Sequence, residues 1–215
     1  MTKPVALVDL EGVLFPEMWP FIAAAIGDRN LEITTREVSD YPSLMAQRLE
    51  LLRTNDVRLS DVEDIVSGMS CLPGALNFID ALKSFAEVTI VTDSFSPMNT
   101  HALEALSVSR VFTNHFAADF QGFATECFYW HRGQGKARVY DFISQSATPT
   151  LAIGDGLNDL DMLHRADLGV LYNPSDITLK AAGDVTVLRD LKEVLKSFSE
   201  CVTTHAPKQQ TKTIR

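Results

Sequence analysis

Cysteine is scarce in this chain: Cys71, Cys127 and Cys201 are three of 215 residues. An odd number without paired metal-ligand spacing argues against a disulfide framework or a zinc site, so all three are read as reduced packing residues. No apolar run reaches the about 18 residues that span a bilayer. The apolar stretch Val5 to Val8 ahead of Asp9 is too short for a signal peptide, which makes the cytoplasm the expected address. Basic charge is short too. Nineteen Lys and Arg against 28 Asp and Glu give a formal net charge of −9, which repels nucleic acid and anionic membranes. Internal repeats are absent. A polar, basic end from about Thr203 to Arg215 has too few apolar residues to order itself and is expected to be disordered.

What is present is 46% hydrophobic sequence organised in short runs. Val5–Val8, Val88–Val91, Thr150–Ile153, Leu168–Leu171 and Val185–Val187 each precede a turn and a helical pattern, the alternation of a doubly wound α/β fold with a parallel sheet. Helical signals fall at Gly74–Phe85, Pro97–Leu106, Lys136–Ser144, Leu157–Ala166 and Leu188–Phe198. About 80 residues separate the first two runs, where a crossover unit needs only about 30. Residues 15–72 are therefore expected to form an inserted helical cap, with Tyr41–Leu52 and Leu59–Met69 as its clearest helices. Residues 1–14 and 73–202 make the core. The aromatic stretch Asn114–Trp130, with a turn at Asp119-Phe120-Gln121-Gly122, predicts a hairpin projecting near the site.

In open α/β sheets, ligands bind beyond the carboxyl ends of the strands. Four polar groups stand there: Asp9-Leu10-Glu11-Gly12, Thr92-Asp93-Ser94, Lys136, and Gly154-Asp155-Gly156-Leu157-Asn158-Asp159. Together they suit phosphoryl transfer, in which positioning and charge stabilisation carry the reaction. Asp9 can attack phosphorus, and Glu11, two residues on, can protonate the leaving oxygen and later activate water. Thr92 offers a hydroxyl to phosphoryl oxygens, and Lys136 a positive charge. Mg²⁺ would take oxygen ligands from Asp9 and Asp155, a backbone carbonyl near Glu11, and water.

These segments, with Asp9-Leu10-Glu11-Gly12-Val13-Leu14, Thr34-Thr35-Arg36, Asp40-Tyr41, Leu44–Leu49 and Val91-Thr92-Asp93-Ser94-Phe95, resemble the haloacid dehalogenase-like superfamily. Within it they look most like the phosphoserine phosphatase branch and its ThrH-like subgroup with homoserine phosphotransferase activity. The resemblance covers nearly the whole chain. It implies Asp9 as nucleophile, Glu11 as acid/base, and Lys136 as the phosphate-binding cation. It also implies Asp9, Glu11, Asp155 and Asp159 around the metal, and Thr92, Asp93 and Asn158 with the substrate. Glu17 and Arg48 match the positions that hold the substrate's ammonium and carboxylate, a pairing their charges suit. Glu11 stands where the superfamily usually has Asp. The segment His131–Lys136 departs from the subgroup's pattern, which keeps Arg132 and Arg138 open as alternatives to Lys136.

Gly133-Gln134-Gly135-Lys136 lacks the first glycine and the Ser/Thr of a nucleotide-binding loop. His101, His115, His131 and His164 have no ligand spacing, and among them only His131 lies near the lysine segment. Phe128-Tyr129-Trp130 reads as hairpin packing rather than a base-stacking platform. The expected partner is a small phosphorylated metabolite, phosphoserine first and a sugar phosphate or nucleotide second. A catalytically silent binding module is the rival from another class, and a homodimer is left open.

Overall fold

The computed structural model describes residues 3–34, 38, 40–143 and 149–205. A seven-stranded sheet has the order β4-β3-β2-β1-β5-β6-β7. Its strands are β1 (Val5–Val8), β2 (Glu87–Ser96), β3 (Val111–Ala118), β4 (Ala124–Phe128), β5 (Thr150–Gly154), β6 (Leu168–Tyr172) and β7 (Thr186–Leu188). All neighbours are parallel except β3 and β4. Around it lie α1 (Met18–Ile26), α2 (Tyr41–Thr54), α3 (Leu59–Ser67), α4 (Ala75–Phe85), α5 (Thr100–Leu106), α6 (Leu160–Arg165), α7 (Asp176–Ala181) and α8 (Leu191–His205). The α/β parallel-sheet class expected from the sequence is the one observed.

The apolar runs are continuous because both faces of the sheet are covered. Side chains alternate along each strand, so Ala6 and Val8 of β1 join one core cluster with Ile90, Ile153, Phe78 and Phe198. Val5 and Leu7 join the opposite cluster with Val91, Leu171, Val139 and Met162. β1 is flanked by β2 on one side and β5 on the other. The chain order reverses direction there, at the kind of switch point where crevices open.

Four expectations need correction. The stretch read as a projecting hairpin is part of the main sheet: β3 pairs with β2 in parallel, and β4 forms the antiparallel edge. The second strand runs past Val91 to Ser96, where four steps on β2 (Val91 to Phe95) oppose two on β3 (Phe112 to Asn114). This bulge takes Thr92-Asp93-Ser94 out of regular pairing. The basic end is ordered further than expected, since Thr203 to His205 close α8. Residues 206–215 lie outside the described residues, as do Thr35, Arg36 and Ser144. The helix expected at Lys136 is a 3-10 segment, Lys136–Asp141.

Residues between β1 and α4 form α1, α2 and α3, with a short 3-10 turn at Arg29–Glu32. The two chain crossings at their base are joined by Leu72 N–H donating to Leu14 O at 2.8 Å. At the far side the β3–β4 turn grips the α2–α3 junction. Arg53 pairs with Asp119 at 2.5 Å, Leu59 N–H donates to Gly122 O at 3.0 Å, and Arg58 Nε donates to Gln121 O at 3.1 Å. The guanidinium groups of Arg53 and Arg58 lie 5.0 and 4.9 Å from the ring centre of Phe123, contacts that add to its burial.

α8 packs Phe198 at full burial against Phe85, ring centres 5.7 Å apart. Phe198→Ala should cost about 3–5 kcal/mol of unfolding free energy in a denaturant titration, the usual price of a buried aromatic. A loss under about 1 kcal/mol would place α8 outside the cooperative core.

Candidate active site

Asp9 follows β1 directly, and its N–H still donates to Ile153 O at 3.0 Å, so β1 and β5 fix its backbone. Its side chain is 7% exposed. Oδ1 accepts from Leu10 N–H at 2.8 Å and meets Lys136 Nζ at 2.8 Å. Lys136, 1% exposed, also donates to Asp159 Oδ1 at 2.7 Å. Of the three cations left open by the sequence, Lys136 is the one at Asp9. Arg132 is exposed, and Arg138 donates to Trp130 O at 2.8 Å.

The loop after β5 is folded on Asp159, whose Oδ2 accepts from Asp155 N–H at 3.1 Å and Gly156 N–H at 2.9 Å. Asp159 packs on Gly154 so closely that a Cβ there would overlap its carboxylate. Gly12 is held the same way at φ 77°, where a Cβ would fall on the Asp155 carboxylate. These contacts bring Asp9, Asp155 and Asp159 together, with one carboxylate oxygen of each within 4.8 Å of the others.

Crowding shows in the proton affinities. Burial first, then Asp159, raises the Asp9 pKa well above the ordinary carboxylate value, against the pull of Lys136. Asp155 is pushed up to about 7 by burial, then Asp159 and Glu17. For Lys136, burial would lower the pKa, but Asp159, Asp9 and Asp93 outweigh it and raise it. Three carboxylates around one ammonium leave an excess of negative charge that a divalent cation would neutralise, and hard oxygen donors suit one.

Glu11 stands apart from this cluster. Its Oε1 accepts the Met18 N–H at 2.7 Å, capping α1 from seven residues away. Burial and then Glu17 push the Glu11 pKa up to about 8. Glu17, at the N-cap of α1, has its own pKa raised by surrounding protein and pulled down by Arg48.

Arg48 projects from α2 and is buried, its guanidinium 4.5 Å from the Trp19 ring centre. Nη2 donates to Ile33 O at 3.0 Å, and Nε finds no hydrogen-bond partner among the described residues. Burial lowers its pKa, with Tyr41, Glu11 and Glu17 pulling it back up.

On the β2 bulge, buried Thr92 accepts Ser94 N–H on Oγ1 at 3.0 Å. Asp93 is half-buried, with Oδ2 accepting from Asn158 Nδ2 at 2.7 Å and Oδ1 lying 3.4 Å from His131 Nε2. Burial alone would raise the Asp93 pKa, but Lys136, His131 and Asn158 outweigh it and push it down to about 2.

The sequence reading gave no site role to Tyr41, Trp19, Asn114 or the Trp130 indole. The Tyr41 hydroxyl reaches Asp93 O at 3.4 Å, and Asn114 Nδ2 donates to the same carbonyl at 2.8 Å. Trp130 donates through Nε1 to Thr92 O at 3.2 Å and through its main chain to Asn114 Oδ1 at 3.2 Å. Tyr41 was within reach of pattern reading, since it precedes Arg48 by two helical turns and shares its face. Asn114 carried no signal, because its stretch reads as hairpin rather than core strand.

Acidic residues converging on a carboxylate at the end of β1 define a parallel-sheet α/β protein with an acid-lined site, and similarity narrows the class. The profile described as haloacid dehalogenase-like hydrolase matches residues 4–167. Across 90% of its length the chain is 29% identical to the phosphoserine phosphatase of Pseudomonas syringae pv. tomato, covering 81% of that protein. Over the same share it is 27% identical to the phosphoserine phosphatase ThrH of Pseudomonas aeruginosa, covering 94% of it. The solved phospho-aspartyl intermediate analogue of phosphoserine phosphatase superposes with a TM-score of 0.74 at 22% identity, over 92% of this chain and 99% of that one. At that identity the likeness speaks for the fold alone. The chain belongs to the haloacid dehalogenase-like hydrolases. It is an enzyme, a hydrolase similar to phosphoserine phosphatases.

Gly12→Ala tests the acidic cluster. A divalent cation such as Mg²⁺ held by the cluster would, at 100 times its dissociation constant, stabilise the wild-type fold by about 2.7 kcal/mol. The variant, folded but with Asp155 displaced, should lose most of that thermal shift; an undiminished shift would place the cation elsewhere.

Proposed function

We propose that the protein is a Mg²⁺-dependent phosphomonoester hydrolase that works through an aspartyl phosphate on Asp9 and prefers O-phospho-L-serine. The observation that supports the substrate most directly is the buried Arg48 guanidinium with an unpartnered Nε beside Glu17. A buried donor without a partner calls for one. A substrate carboxylate would supply it, while Glu17 would take the ammonium. The names of the curated relatives point to the same ester. Residues 15–72 would then act as a lid that excludes bulk water once both ends of the substrate are held.

Lys136 and Leu10 N–H hold Oδ1 of Asp9, leaving Oδ2 to attack phosphorus. As the P–O ester bond breaks, Glu11 gives its proton to the departing serine oxygen. Glu11 then takes a proton from the water that attacks the aspartyl phosphate, freeing phosphate and Asp9. Because Thr92 Oγ1 already accepts from Ser94, its hydroxyl proton is available to a phosphoryl oxygen. Magnesium held by Asp9, Asp155 and Asp159, with a main-chain carbonyl near Glu11, would neutralise charge between carboxylates and phosphate. Homoserine carries the same ammonium and carboxylate, so Glu17 and Arg48 would also seat it as an alternative acceptor to water. Cytoplasmic small-molecule metabolism is the setting this reading implies. Among the described residues no helix is long and apolar enough to cross a membrane.

Phosphate release should require Mg²⁺, stop with chelator, favour phosphoserine over sugar phosphates and nucleotides, and vanish in Asp9→Asn. Arg48→Ala should reduce kcat/KM for phosphoserine by about 100-fold or more, in keeping with about 3 kcal/mol for a lost charge-assisted contact. Turnover of a simple aryl phosphate should stay within a few-fold. Equal loss on both substrates would sink the amino-acid subsite and favour another small ester.

A further inference from the structure

The sequence placed Asp93 with the substrate-binding residues, but its surroundings suit a different task. Its side chain lies between two loops that carry catalytic groups. Asn158, on the loop that bears Asp155 and Asp159, donates to Oδ2 at 2.7 Å. His131, at the head of the segment leading to Lys136, presents Nε2 to Oδ1 at 3.4 Å. Oδ1 is buried and accepts no hydrogen bond among the described residues, so the His131 contact is an electrostatic one. The main chain of Asp93 is pinned as well, its carbonyl accepting from Asn114 and Tyr41.

His131 is itself oriented. Gly133 N–H donates to Nδ1 at 3.1 Å, so the ring proton of the neutral imidazole sits on Nε2, the nitrogen that faces Asp93. Trp130 stacks edge-on at 5.6 Å between ring centres, with Tyr129 at 6.0 Å. Gln134 N–H donates to His131 O at 3.0 Å, winding the loop towards Lys136. The groups facing this ring are thus Asp93, Tyr129, Trp130 and Gly133, and Asp93 is the one that joins it to another loop.

We propose that Asp93 is a positioning residue, which through His131 and Asn158 holds the loops bearing Lys136 and Asp159 in place around Asp9 and does not touch substrate. The proposal rests on the reading of Asp9 as the phosphoryl acceptor. It extends that reading by assigning His131, which the phosphoryl-transfer scheme leaves without a part. Outer partners of this kind set the geometry of the residues that react, and their loss commonly lowers activity by about 10–100-fold.

The test compares Asp93→Ala, His131→Ala, their double variant and His131→Gln on phosphoserine and on p-nitrophenyl phosphate. Asp93→Ala should lower kcat about 10–100-fold on both substrates with KM within about two-fold. The double variant should lose no more than Asp93→Ala alone, because both act through one contact. His131→Gln, which keeps an N–H near the position of Nε2, should recover most of the rate lost in His131→Ala. A KM rise confined to phosphoserine, or losses that multiply in the double variant, would overturn the proposal by making Asp93 a substrate contact or an independent group.

A second readout needs no turnover, so it separates this proposal from the choice of substrate. Imidazole ¹⁵N shifts of His131 should show the Nε2–H tautomer in wild type and a mixture in Asp93→Ala. A dominant Nδ1–H form, or no change on substitution, would refute the link even if every phosphate ester proved inert. Should Asp93→Ala not fold, Asp93→Asn carries the same comparisons, since its amide can accept from only one of the two donors.

Discussion

A lysine ammonium with almost no exposure, clamped between two carboxylates, is the contact on which the rest of this site depends. Lys136 bridges Asp9 and Asp159 at 2.8 and 2.7 Å. Desolvating such a group is costly unless its partners are well placed, and stripping one partner from a buried pair costs about 3–5 kcal/mol. That penalty explains the tight loops around it. Asp159 can face Lys136 because its second oxygen gathers the N–H groups of Asp155 and Gly156, and because Gly154 leaves room for it. Asp9 can face Lys136 because β1 is held on both sides.

The same contact organises the electrostatics. One ammonium cannot balance Asp9, Asp155 and Asp159, so the cluster stays short of positive charge; burial first, and then the repulsion from Asp159, raise the proton affinities of Asp9 and Asp155. Glu11 is kept out of the crowd by capping α1. Its carboxylate is thereby fixed by the helix it caps rather than by the acidic cluster.

Much of this was legible in the sequence, for physical reasons. Strands buried on both faces read as unbroken apolar runs, and β1, Val5–Val8, was delimited by pattern alone. Polar residues at strand ends stand out against such runs, so Asp9 and the Asp155–Asp159 loop were visible at once. Lys136 could not be separated from Arg132 and Arg138 by sequence, because only the three-dimensional path of the loop decides which cation is buried. The bulge in β2 was invisible for a similar reason. Thr92 to Ser94 looks like a strand end, and nothing local reveals that β3 resumes pairing at Phe95. The β3–β4 pair was recognised from its turn but misplaced, since a turn specifies its own two strands and not the neighbour they join.

The grip of that turn on the α2–α3 junction makes one side of the helical segment sensitive to salt. Two arginines flank Phe123, and one of them meets Asp119 at the surface. Exposed charge contacts of this kind weaken as ionic strength rises, because mobile ions screen them over roughly 8–10 Å. The base of the segment, by contrast, is held by the Leu72–Leu14 main-chain hydrogen bond and apolar packing, which salt leaves alone. Raising the salt concentration therefore weakens the contact at the β3–β4 turn and leaves the Leu72–Leu14 side as it was.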